Sequence, residues 1–189
     1  MVGHNANESI LYTPQISTDG EFTTYLTQFL KSAPNDTIQH ITTVLYPNVL
    51  DGTYGYTTQF GRAASLVYDV VYACNTRFLG TAFGEHAHNY RFQYPPATHG
   101  QDVSYTFYNG DPNFPDPTLP VNAALAEIMQ DYFVQFAIHR DPNNATLPHW
   151  PSYAKGSSIL TFGANGVGTS VDDVSKTRCD YWQSAPFRG

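Results

Sequence analysis

The sequence predicts an α/β fold with few strands and several packed helices. Three stretches predict it. Tyr90 to Tyr94 is a short aromatic run that reads as a strand, and Pro95-Pro96 stops it. Val121 to His139 carries Leu125, Ile128, Met129, Tyr132, Phe133 and Phe136 at spacings of three and four, the pattern of a helix with a buried stripe. Ser158 to Phe162 alternates as a short strand. Just past the first strand stands the turn His99-Gly100-Gln101-Asp102. Loops after strands are where α/β proteins aim functional groups, and histidine titrates near neutrality. The local sequence also allows a surface-loop histidine, the lesser of the two readings.

The remaining elements follow in order. Glu8 comes after the polar loop His4-Asn5-Ala6-Asn7 and reads locally as a solvated acid before a helix. Asp19 is expected to cap a helix from about Glu21 to Ser32, with Phe22, Tyr25, Leu26, Phe29 and Leu30 on one face. Thr37 is expected to cap a second helix through Ile38, Ile41, Leu45 and Tyr46, ended by Pro47. The tyrosines of residues 51–58 read as half-buried packing in a loop. Phe60 to Phe83 reads as one long helix or a pair, with small residues on its apolar face and Gly84 as its stop. His86 and His88 at i, i+2 would share one face of a strand, but no third and fourth ligand follows at zinc spacing, so neither metal nor cofactor is expected. Asn109 to Pro120 is a rigid loop. Asn122 or Pro120 starts the long helix, and Asp141-Pro142 ends it. Gly163 to Gly168 reads as a turn, without the lysine a phosphate loop needs. Lys176 to Ala185 is expected to form a short helix docked through Cys179, Tyr181 and Trp182.

At 189 residues, 41% of them hydrophobic, the chain can bury a core and is expected to form one domain over 1–189. Aromatics reach 15% while charged residues are only 13%, a balance that suits a secreted protein. The net charge of −7 with nine Lys and Arg argues against the clustered positive charge that phosphate binding needs, so nucleic acid is not an expected partner. No apolar run approaches the ~20 residues of a membrane-spanning helix, and no signal peptide is visible. Asn35-Asp36-Thr37 and Asn144-Ala145-Thr146 are glycosylation sequons, which imply the secretory pathway if used; Asn7-Glu8-Ser9 is a third, inside the candidate active loop. Cys74 and Cys179 are open to two readings, a disulfide or two buried thiols.

Four segments together resemble the type-B carboxylesterase/lipase family of α/β-hydrolases, the group of fungal lipases and cholinesterases. Pro96-Ala97-Thr98-His99-Gly100-Gln101-Asp102, with Tyr105 and Phe107 behind it, looks like the family's histidine segment. Gly3-His4-Asn5-Ala6-Asn7-Glu8-Ser9 looks like the loop of its acidic triad member, although Ser9 stands where most members have glycine. Asp69 to Cys74 and Cys179-Asp180-Tyr181-Trp182 look like the two halves of a disulfide, and Trp150-Pro151-Ser152-Tyr153 looks like the Trp-Pro-x-Tyr element. The order is the family's. The resemblance spans nearly the whole chain but only about the C-terminal third of the family's length. It implies the C-terminal part of an α/β-hydrolase fold, incomplete without the N-terminal part. It also implies a Cys74–Cys179 bridge, His99 as general base and Glu8 as its orienting acid. Asp102 is a second candidate, holding the turn or merely capping it.

Ester hydrolysis by a triad needs a nucleophile as well. The family's serine sits in a Gly-x-Ser-x-Gly elbow, and no serine here, Ser65, Ser104, Ser157, Ser158 or Ser170 included, has those flanking glycines. A His-Gly-Gly-Gly-type oxyanion segment is missing too. Helices cut from such a sheet expose more apolar surface than the few hundred Å2 usual for a monomer. A second chain carrying the N-terminal part, or self-association, is therefore expected to cover it. Three functions remain: one piece of an esterase acting on a hydrophobic ester; an independent protein that binds or isomerises a hydrophobic small molecule; a non-catalytic interaction module.

Overall fold

The computed structural model of the chain describes residues 1–184. In order they form β1 (Val2–Asn5), α1 (Asp19–Phe29), α2 (Asn35–His40), α3 (Gln59–Val67), α4 (Cys74–Phe83), β2 (Asn89–Phe92), α5 (Gln101–Thr106), α6 (Ala123–His139), β3 (Ser158–Gly163), β4 (Gly166–Val171) and α7 (Lys176–Ser184). This is the mixed α/β architecture expected, with a four-stranded sheet of order β1-β2-β3-β4. The described residues divide into two compact units. One is Met1–Glu8 with Thr76–Asp173; the other is Ser9–Asn75 with the described part of Val174–Gly189.

The first unit is built on the sheet. β1, β2 and β3 run parallel, with Val2 opposite Asn89 and Asn89 opposite Ile159. Parallel central strands are covered on their faces, so they favour large apolar side chains. Phe92, Leu160 and Phe162 supply them and pack with Met129 and Tyr132 of α6 and with Trp150, all fully buried. Trp150 closes the cluster and also donates its indole N–H to the Asn89 carbonyl at 3.0 Å. Gly3 is obligatory here: a Cβ would lie 2.2 Å from the Tyr90 ring, which crosses over β1. Of the two expected starts it is Asn122 that caps α6, accepting from the Leu125 amide at 3.2 Å.

The second unit is helical. Buried Arg62 of α3 is its hub. Its guanidinium donates to the carbonyls of Tyr46 and Thr42 and to the side chains of Asp19 and Gln59, and lies 3.9 Å over the Phe22 ring. Five N–H groups in a fixed fork tie several chain segments at once. A second knot joins Tyr46, Asp69, Arg178 and Trp182. The Tyr46 hydroxyl donates to Asp69 at 2.8 Å, Arg178 pairs with that carboxylate at 3.0 Å, and the Trp182 N–H donates to the Tyr46 oxygen at 3.1 Å. The Cys74–Cys179 disulfide is present, with Cα atoms 5.1 Å apart.

Several local expectations change. The cap of α1 is Thr18, not Asp19. Extended backbone at Thr18 lets its hydroxyl accept the Glu21 amide while the Glu21 carboxylate returns to the Thr18 amide, a capping box; the Asp19 carboxylate is taken by Arg62. The helix also ends at Phe29, short of Ser32. Thr37 lies inside α2 instead of capping it, and its amide is held by Asp36. The long helix from Phe60 is three joined pieces, because Tyr68–Ala73 widens into a π-type stretch between α3 and α4. Gly163 to Gly168 is more than a turn. Gly166, at φ +94°, closes a hairpin whose second arm is β4, with Gly163 opposite Gly166 and Thr161 opposite Gly168. His86 sits in a 3₁₀ turn and His88 before β2, so they share no strand face. The final predicted residue of the last helix, Ala185, lies outside the described residues. Among the described residues no helix is long and apolar enough to cross a membrane.

Candidate active site

Two parallel neighbours that end level with each other place their following loops side by side, at the carboxyl edge of the sheet. β1 and β2 do this: Asn5 is opposite Phe92, the last residue of each strand. The loops then stay in register beyond the strands. The Ala6 amide donates to the Phe92 carbonyl at 2.8 Å, the Asn7 amide to the Ala97 carbonyl at 2.9 Å, and the Asn7 side chain to the Pro96 carbonyl at 2.6 Å. Ala97 is buried at φ +55°, a conformation uncommon for a residue with a Cβ. His99 then stands in the turn that ends at Gly100, φ +78°, where α5 begins.

This stitching carries Glu8 to His99 across 91 residues of sequence. The His99 Nδ1 and the Glu8 Oε2 are 2.6 Å apart. The Glu8 side chain is only 7% exposed, whereas that of His99 is 41% exposed. The other Glu8 oxygen, Oε1, accepts the Asn5 backbone amide at 2.6 Å. A buried carboxylate held by two N–H donors keeps one orientation. It also sets the histidine tautomer: with the proton on Nδ1, the Nε2 lone pair is the basic one.

Asp102 stands in the first turn of α5. Its carboxylate accepts from the Asn5 side-chain amide at 3.1 Å and from the Tyr90 hydroxyl at 2.9 Å. Burial, and then the neighbouring Asp102 carboxylate, push the Tyr90 phenol far above its ordinary range, so it remains a donor. His4, buried on β1, is pushed down to about 4, chiefly by desolvation with Asp172 opposing, and is neutral at physiological pH. Among the described residues no group of three or more His, Cys, Asp and Glu side chains could hold a metal ion.

Sequence reasoning singled out Glu8, His99 and Asp102, and the structure brings all three to the ends of β1 and β2. It overlooked Asn5 and Tyr90. Asn5 stood in view, a short amide just before the candidate acid. Nothing in one sequence says that its side chain reaches the histidine loop.

A parallel strand pair with an acid and a histidine on adjoining loops is an arrangement that α/β-hydrolases use. A solved structure described as Aspergillus niger EstA shares this fold, with a TM-score of 0.80 at 19% identity over all of this chain and 40% of that one. More specifically, the chain belongs to the carboxylesterase family, whose model matches residues 1–182. Carboxylesterase patB of Aspergillus clavatus is 35% identical over 99% of this chain, and that of Penicillium expansum is 32% identical over the same share. The chain spans 33% of the length of either relative.

Proposed function

We propose that this chain contributes the base and its orienting acid to a serine carboxylesterase site whose nucleophile comes from another stretch of polypeptide. The contact that carries this reading is the 2.6 Å Glu8–His99 pair. In the proposed reaction His99 Nε2 takes the proton of the attacking serine hydroxyl. Glu8 stabilises the resulting imidazolium, and His99 then returns the proton to the departing alcohol.

A second polypeptide fits the surface of the sheet unit. Among the described residues β1 is an edge strand bonded only to β2, and an exposed strand edge invites pairing. Leu79 and Phe83 are 46% and 63% exposed nearby on the same unit. The secretory pathway is supported by the Cys74–Cys179 bridge, which persists in oxidising compartments, and by exposed Asn35 of the first sequon; a relative from Arthroderma benhamiae is described as a secreted lipase. Asn144 is the second modification candidate.

The test is complementation. The chain is co-expressed with the N-terminal two-thirds of the Aspergillus clavatus relative, and p-nitrophenyl ester hydrolysis is followed. Activity should require both parts and should fall by at least about a thousandfold in His99→Ala, with Glu8→Gln less severe. Hydrolysis that survives His99→Ala would overturn the reading. His99-dependent turnover by this chain alone would instead favour an independent enzyme. Endoglycosidase treatment of the secreted chain, read by mass, tests the two sequons.

A further inference from the structure

We infer that Asn5 is the positioning residue that holds the acid loop and the histidine loop in mutual alignment. This rests on the reading of Glu8 and His99 as acid and base. Asn5 is completely buried at the end of β1 and acts on both loops at once. Its backbone amide holds Glu8 Oε1 at 2.6 Å. Its side-chain Nδ2 donates to the carbonyl of Thr98, the residue before the histidine, at 2.8 Å, and to Asp102 Oδ1, three residues after it, at 3.1 Å. Both partners of Nδ2 can only accept, so the amide orientation is unambiguous. No other side chain among the described residues bonds to both sides of His99.

Asn5 Oδ1 is buried without a hydrogen-bond partner among the described residues. The bonds this amide does make are both directed at the histidine loop. Its anchor is itself anchored. Tyr90 holds Asp102 from the other side at 2.9 Å, and Gly3 gives the Tyr90 ring room to lie over β1. The line Gly3, Tyr90, Asp102, Asn5 therefore fixes the histidine turn from behind, and Glu8 fixes the imidazole from the front.

The alignment is read by proton NMR of the chain itself. A histidine N–H donated to a buried carboxylate gives a far-downfield, slowly exchanging resonance. That signal should be present in the unsubstituted chain and absent in Glu8→Gln. In Asn5→Ala the resonance should exchange at least about tenfold faster, the effect of losing two hydrogen bonds, one of them to a charged group, while near-UV circular dichroism stays unchanged. Asn5→Asp, which cannot donate and places a carboxylate against Asp102, should be worse than Asn5→Ala. If Asn5→Ala does not fold, Asp102→Ala serves instead and should raise the exchange rate by about threefold. Exchange unmoved by the Asn5 or Asp102 substitutions, with the signal still lost in Glu8→Gln, overturns the role of Asn5 alone. An unsubstituted chain without the resonance, or a signal indifferent to Glu8→Gln, overturns the Glu8–His99 reading itself.

Discussion

The two units solve the same problem, ordering roughly a hundred residues or fewer, with different means. The sheet unit relies on interlocked aromatic packing. Trp150 meets Tyr132 edge-on at 5.2 Å between centroids and Phe162 at 6.0 Å, and Phe92 meets Tyr105 at 4.7 Å. The helical unit relies on a buried guanidinium, a buried carboxylate and a covalent bridge. The difference follows from geometry. Strands give a flat, regular face on which large rings tile. Short helices broken by π-type stretches leave irregular gaps with unsatisfied carbonyls, and a forked donor such as Arg62 can reach several of them. Packing of the first kind tolerates change of environment. Polar knots of the second kind fail abruptly when one partner is removed.

The largest expected effect tests the bridge. It closes a span of 105 residues, so the paired substitution Cys74→Ser and Cys179→Ser should destabilise the helical unit by roughly 4 kcal/mol. Hydrogen exchange should show the loss in amides of α1 and α3, with those of β2 and β3 little changed; uniform loss would erase the distinction. Next is Arg62→Ala, which leaves the Thr42 and Tyr46 carbonyls without their donor and removes the packing over the Phe22 ring, while Asp19, 54% exposed, can turn to solvent. A loss of about 3–4 kcal/mol in urea unfolding is expected, and a loss below ~1 kcal/mol would mean the helical unit is not held by its hub.

The third prediction concerns pH and the sheet unit. His4 stays neutral in the fold down to about 4, while in the unfolded chain it takes a proton near ~6.5. Acidification therefore favours the unfolded state. The corresponding stability is complete above the unfolded value, declines as pH falls from ~6.5 to about 4, and is constant below, a total of about 3 kcal/mol. His4→Gln should lack that share of the decline when urea midpoints are compared at pH 7 and 4.5. Equal declines would assign the acid sensitivity to other groups. Smallest is Asp173→Ala. Its carboxylate, 69% exposed, pairs with Arg91 at 2.5 Å, and such pairs contribute less than about 1 kcal/mol. A larger cost would show that the sheet unit, too, leans on charge.

Legibility in the sequence followed the range of the interactions involved. The α6 stripe was readable because burial on one face imposes a local period; β3 was readable only as a short apolar run, since it is buried on both faces and does not alternate, and the strand before Pro95-Pro96 because proline cannot continue a ladder. The Asn122 cap was readable from the side chain itself, which can accept a first-turn amide. β4 was not. Its glycines look like turn residues until β3 supplies the partner that makes them a strand. The Thr18 cap was missed because Asp19 is an equally good capping residue until Arg62 claims it.

The site divides along the same line. Residue type and neighbouring turn chemistry in the sequence itself marked Glu8, His99 and Asp102 as able to carry charge or a proton, and the family resemblance assigned their roles. Only the parallel pairing of β1 with β2 decided that they meet, and that Asn5 and Tyr90 stand behind them. The physical reason is that a periodic pattern records which face of an element is buried. Contact between residues 91 apart is set by strand order and register, and those are properties of the assembled sheet.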